Sequence, residues 1–240
     1  MRLYDTIKSF NKGVMITLII FEEGFMASTS QETNEWVDGF LFVANRPILD
    51  FLNTKPVLLG EPTELLPDAR ALERWLIASK MVTSPRARAL VRGWRDSAEA
   101  AAFVRELTTF RERLRAAVAQ IESGSLPTDA FIAEVNSRLR EHPRGSLLIK
   151  RGRGLAKETL FEPHKPEDLW EPIADATAEL LTEAEPSRIR QCESCVVHFF
   201  DTSKKGSRRW CSMNICGNKL KVAAYQRRKR AAQALPLRTV

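Results

Sequence analysis

The chain is short of several things, and each shortage removes a class of function. It has three histidines in 240 residues, His142, His164 and His198, and none lies in a nucleophile or metal-hydrolase motif. Arg151-Gly152-Arg153-Gly154 is glycine-rich but lacks phosphate-loop spacing. An enzyme is therefore not expected. A bilayer span needs about twenty apolar residues. The N-terminal apolar run from Val14 to Phe21 has eight and meets Glu22 and Glu23 at once, so it is also a weak secretory signal. Cysteine is absent from the first 191 residues.

Residues 1–35 do not read as part of the fold. Glu22-Glu23-Gly24 is what a purine-rich ribosome-binding site spells when translated, and Met26 follows just downstream. The expectation is a leader that is either disordered or a start assigned too early, with Met26 as the true start. A cytoplasmic protein without membrane contact follows, which also suits reduced thiols.

What is present is a soluble composition with unevenly placed charge. Hydrophobic residues make up 44% and charged residues 28%, ordinary values for a globular chain. The net charge is +7. From Pro186 to Val240, thirteen Lys and Arg stand against Glu193 and Asp201, a local +11, so the rest of the chain carries −4. A mildly acidic body with a basic tail is the asymmetry of a nucleic-acid binder.

All four cysteines fall in that tail as Cys192-x2-Cys195 and Cys211-x4-Cys216, with fifteen residues between the pairs. Two close pairs joined by a short loop suit a tetrahedral metal, because each pair spans one edge of the tetrahedron. One structural zinc on four thiolates is the standard occupant. Two disulfides or four separate core thiols would satisfy the same count, but chance would scatter the cysteines along the chain. Cys192 to Cys195 reads as a knuckle. Val196 to Phe200 and Arg208 to Cys211 read as two strands around a turn, and Gly217 to Ala232 reads as a basic helix.

Ser207-Arg208-Arg209-Trp210-Cys211-Ser212-Met213, followed by Cys216-Gly217-Asn218-Lys219 and preceded by Phe199-Phe200-Asp201-Thr202-Ser203, resembles the CGNR zinc finger. Lys219 stands where that family's signature has arginine, which keeps the charge and loses a planar fork. The resemblance implies a treble-clef-like finger and DNA binding. Leu49-Asp50-Phe51-Leu52-Asn53-Thr54 is similar to the ABATE domain, the helical partner commonly found before such a finger.

The middle of the chain has helical period. Leu72, Trp75 and Leu76 share one face of Pro67 to Lys80. Ser84-Pro85 opens a segment running to Glu122, either one long helix or two with a break between Gly93 and Ser97. Thr128 caps another helix through Arg140, and Glu167 to Ala184 is the last of the body. A hairpin around Gly152-Arg153-Gly154 interrupts them. The expected fold is mainly α with a small β-hairpin and a C-terminal treble-clef-like zinc finger of α+β type. The expected divisions are a leader (1–35), an ABATE-like helical domain (36–185), a CGNR-type finger with a basic helix (186–232) and a tail (233–240).

Function follows from these parts. The leading reading is a transcription regulator that binds double-stranded DNA. Arg208 and Arg209 are held beside a metal ligand, Asn218 can reach a base edge, and Lys219, Lys221, Arg227, Arg228, Lys229 and Arg230 offer phosphate contacts along the helix. The other reading is an RNA-binding or protein-interaction module, which would favour exposed aromatics. In the body, Asp50 and Asn53 interrupt an apolar segment three residues apart. They either satisfy helix ends and buried backbone groups or line a pocket for a small-molecule effector.

Overall fold

The computed structural model describes residues 35–58 and 61–218, together with 15–17, 28–30, 222, 225 and 226. The N-terminal strands β1 (Met15–Thr17) and β2 (Ser28–Ser30) pair antiparallel with each other. Met26 and the question of the start lie outside the described residues.

Residues 36–41 form a tight hairpin of β3 (Trp36–Val37) and β4 (Phe40–Leu41). Its two-residue turn is Asp38-Gly39, with φ of 51° and 81°. Positive φ at both central positions twists a turn to match its strands, and Asp-Gly adopts it at little cost.

Helix α1 (Pro47–Leu52) sits at the centre of the body. Ile48, Leu49, Phe51 and Leu52 are all buried, because a six-residue helix sandwiched between others turns apolar residues to every side. A short ladder of β5 (Val57–Leu58) and β6 (Glu61–Pro62) follows.

Each of the next four helices begins where a side-chain oxygen accepts a backbone N–H three residues on. Asp68 caps α2 (Ala69–Ala78), Ser84 caps α3 (Pro85–Trp94), Ser97 caps α4 (Ala98–Glu122) and Thr128 caps α5 (Asp129–Glu141). The segment from Ser84 to Glu122 is thus two helices, and the Ser97 cap is the physical reason for the break. Helix α6 (Trp170–Glu183), entered through a 3-10 turn at Pro166–Leu169, completes the body.

The core is aromatic where α4, α5 and α6 meet. Trp170 receives Phe103 and Phe110 edge-on, with ring centroids 5.6 Å and 5.2 Å away. Arg111 is 1% exposed, and its guanidinium donates to Glu64 and, at 2.8 Å, to Thr54 Oγ1. A two-oxygen acceptor facing the guanidinium fork is what makes that burial tolerable.

Strands β7 (Gly145–Arg151) and β8 (Gly154–Leu160) form the expected hairpin, turning at Gly152 with φ of 60°. The finger differs from expectation. Strand β10 (His198–Phe200) pairs with β9 (Ile189–Gln191), which precedes the first cysteine, and not with residues 208–211. The knuckle is therefore the turn of the hairpin, and the later segment docks on it through Glu193 N–H to Arg209 O at 3.0 Å.

Body and finger share their packing. Ile189 is buried in the body's core, while Leu41 and Val43 from the N-terminal hairpin are buried against Val197, Phe199 and the cysteines. Beside this junction lies a cleft of about 440 Å³ reached by Glu122, Arg190, Arg208 and Arg209.

Candidate metal centre and nucleic-acid interface

Two backbone devices present the sulfurs. In the first, Cys192 N–H donates to Val197 O at 2.9 Å, closing the knuckle over Cys195. In the second, Ser212 begins a wide turn at Met213–Gly217. Its hydroxyl accepts from Asn214 N–H at 3.0 Å and Ile215 N–H at 3.3 Å, and its carbonyl accepts from Cys216 and Gly217. The Ser212 hydroxyl also donates to Glu35, tying the turn to the start of the body. The Cys-Gly step needs its glycine for space. A Cβ on Gly217 would lie 2.6 Å from Met213 Sδ and 2.8 Å from Trp210 Nε1, and those two side chains are themselves hydrogen-bonded across it.

All four Sγ atoms lie within 4.8 Å of one another. Cys195 to Cys211 is 3.8 Å, Cys211 to Cys216 3.7 Å and Cys195 to Cys216 3.6 Å. A tetrahedron of sulfurs around zinc at about 2.3 Å has edges of about 3.8 Å, so the donor set fits the ion. The thiols are free rather than paired as disulfides, and three of them are buried. Such crowding cannot hold four protons or four bare charges comfortably. Hydrogen bonds from the other three thiols hold Cys192 far below the usual thiol range, while those with Cys192, Cys195 and Cys216 push Cys211 far above it. A divalent cation resolves the conflict by accepting four thiolates. Cys192, Cys195, Cys211 and Cys216 would hold one zinc, and its contribution is structural, since four cysteines leave no open coordination position.

Asp201 braces the loop between the two devices. It is fully buried, and its carboxylate accepts Ser203 N–H and Arg208 N–H, each at 2.8 Å. Burial alone would raise its pKa, but these hydrogen bonds and the charge of Arg190 outweigh it and hold the group below the usual carboxylate range.

The basic residues expected to meet DNA divide into two sets. Arg208 lies over the Phe199 ring, 4.7 Å from its centroid, and its Nε donates to Trp210 O at 2.8 Å. Arg209 forms a fork with Glu193, Nε to Oε1 at 2.7 Å, and both side chains are half-exposed. Asn218 is exposed at the end of the wide turn. Val222, Tyr225 and Gln226 are helical and exposed, while Lys219, Lys221, Arg227, Arg228, Lys229 and Arg230 lie outside the described residues.

Asp50 and Asn53 are spent on the fold. Asp50 Oδ1 accepts Val43 N–H at 3.1 Å and Ala44 N–H at 3.0 Å. Asn53 is 2% exposed and pairs with the backbone of His198 on β10. Neither is among the lining residues of the cleft beside the finger or of the recess between α5 and α6, and their hydrogen-bonded polar atoms face backbone. Sequence reasoning missed His198 as the partner. It is 3% exposed, with Nε2 3.4 Å from Glu122 Oε2, and it sits beside the metal site without joining it.

Residues 45–184 match the model of the ABATE family, described as a putative stress-induced transcription regulator, and residues 188–229 match that of the CGNR zinc finger. Both are regulator and zinc-finger types rather than enzyme families. No curated protein matches the chain. No helix among the described residues is long and apolar enough to cross a membrane. With the helical body in the first match and the four clustered cysteines in the second, the chain belongs to the ABATE family and ends in a CGNR zinc finger.

Proposed function

We propose that this protein binds double-stranded DNA through its finger as a transcription regulator, with the helical body acting as a ligand-sensing or assembly module. The observation that carries the reading is the coincidence of a metal-braced turn with charge. Arg208 and Arg209 are three and two residues from the buried Cys211, in a segment of local charge +11. A rigid arginine can read a guanine edge, whereas the later lysines and arginines supply phosphate contacts that are blind to sequence. The exposed pair Val222 and Tyr225, 54% and 60% accessible, favours the second reading, an RNA or protein contact on the same helix.

Genome-wide mapping of the tagged protein, followed by filter binding on the mapped site, scrambled duplex and RNA at several salt concentrations, separates these readings. Changing Lys229 and Arg230 to Ala should weaken all duplexes alike and flatten the salt slope by about 0.9 per lost phosphate contact. Arg208→Ala should cost about 1–3 kcal/mol on the mapped site and much less on scrambled DNA. Equal losses on both duplexes would reduce the finger to an electrostatic anchor, and tighter binding to RNA would favour the second reading.

A further inference from the structure

A cavity of about 290 Å³ opens in the helical body, away from the finger residues, where the end of α5, the base of the β7–β8 hairpin and the start of α6 meet. Its lining includes four carboxylates, Glu141, Glu162, Asp168 and Glu171, together with His142 and His164, and no lysine or arginine. The recess lies in the part of the chain that carries −4, and its charged lining residues are all carboxylates.

The carboxylates are not equivalent. Glu141 is already engaged, accepting the Ser137 hydroxyl at 2.6 Å and lying 3.7 Å from Arg138. Asp168 turns Oδ2 to the backbone N–H groups of His164 and Lys165, leaving Oδ1 3.6 Å from His142 Nδ1, too far for a hydrogen bond. Glu171 is 8% exposed and makes no hydrogen bond among the described residues. Its nearest cation is Arg144, whose Nε stands 4.0 Å from Oε1 and whose guanidinium is shared with Asp175 and Glu179. Glu171 therefore lines the cavity with a carboxylate that has one long ion pair and no hydrogen bond among the described residues, so an occupant can supply donors to it. Burial pushes its pKa up to about 7, opposed by Arg144 and reinforced by Asp168.

We propose that this cavity binds a small organic cation, a primary amine or guanidinium, held between Glu171, Asp168 and His142. Its nitrogen supplies hydrogen-bond donors to Glu171, and Phe161 is an aromatic member of the same lining. A bare metal ion fits less well. Among the described residues, the four cysteines are the one group of three or more ligands whose donor atoms converge within 4.8 Å. The imidazole and carboxylates here are too dispersed to close on one ion, but a molecule of several atoms spans them. Treating this occupant as the effector rests on the regulator reading above, whereas its binding does not, so the test measures binding alone.

The experiment is calorimetric titration of the full, zinc-loaded chain with putrescine and with agmatine, using nickel and inorganic phosphate as comparisons. Saturable one-to-one binding of an amine probe is expected. It should release protons near neutral pH, seen as a dependence on buffer ionisation heat, because the cation converts Glu171 to its charged form. Glu171→Gln should weaken binding at least tenfold and abolish the proton release, while Glu141→Gln should change affinity less than threefold. If Glu171→Gln does not fold, the wild-type proton release decides. Absence of amine binding overturns the proposal, as does equal affinity in Glu171→Gln or binding of nickel in place of the amines.

Discussion

Asn53 and His198 lie 145 residues apart and exchange two hydrogen bonds, Asn53 Nδ2 to His198 O at 2.8 Å and His198 N–H to Asn53 Oδ1 at 2.9 Å. A side-chain amide has one donor face and one acceptor, spaced like a peptide group, so Asn53 serves β10 as a neighbouring strand would. The body thereby grips the finger's hairpin within three residues of Cys195. Asn53→Ala leaves two buried backbone groups unpaired and should cost about 2–4 kcal/mol in chemical denaturation. Asn53→Asp should cost no less, because it cannot donate to His198 O. A loss below about 0.5 kcal/mol in both variants would mean that the contact is replaced by water.

Zinc should hold more than the finger. Cys192→Ser or Cys216→Ser removes one of four thiolates, where structural zinc contributes on the order of 10 kcal/mol. Leu41 and Val43 are packed on the cysteine cluster, and Glu35 accepts from Ser212. Hydrogen exchange should therefore accelerate in residues 35–43 as well as 190–217, while α4 and α6 stay protected. Wild-type protein should carry one zinc per chain by metal analysis. Protection of 35–43 unchanged by the cysteine substitutions would separate the hairpin from the metal site.

The contribution of Asp50 to stability should decline from about pH 4 to about pH 7. Burial raises Asp50 from its ordinary 3.8 to about 7, against the opposing N–H groups of Ala44 and Val43. A carboxyl with a raised folded pKa binds its proton more tightly when folded. Its contribution is complete below the unfolded value and is lost as pH rises to about 7. Asp50→Asn keeps an oxygen for both N–H groups and removes the charge. Relative to wild type, its stability should fall less steeply from about pH 4 to about pH 7, with a gain of about 1–3 kcal/mol at the upper end. Parallel curves would show that Asp50 remains charged at low cost.

Glu193 restrains a DNA-contact candidate. Its fork with Arg209 is surface-exposed, so it contributes little to stability, but it neutralises the guanidinium. Glu193→Ala should leave the melting temperature nearly unchanged. It should raise affinity for duplex DNA several-fold and steepen the salt slope by up to about 0.9. The gain should vanish in an Arg209→Ala background, and its persistence there would place the effect in net charge alone.

The residues by themselves determined the metal site and the helix starts at Ser84 and Thr128, but left open whether Ser84 to Glu122 is one helix or two. Cys-x2-Cys and Cys-x4-Cys is a local spacing, and a cap is an oxygen three positions from the N–H it receives, so neither depends on distant chain. The Asp38-Gly39 turn is local as well, because its positive φ values are a property of those two residues, although the sequence reading passed over it. Tertiary structure alone decided what Asp50 and Asn53 do. A buried amide and a pocket amide look identical in sequence until their partners arrive, and here the partner is the backbone of a strand 145 residues away. The same holds for β10, whose neighbour is β9 rather than residues 208–211: a three-residue strand carries too little pattern to choose a mate, and the choice falls to packing against α1 and the cysteine cluster. The acidic recess is of this kind too. Its residues come from the end of one helix, the base of a hairpin and the start of another helix, and only folding brings those carboxylates to one cavity.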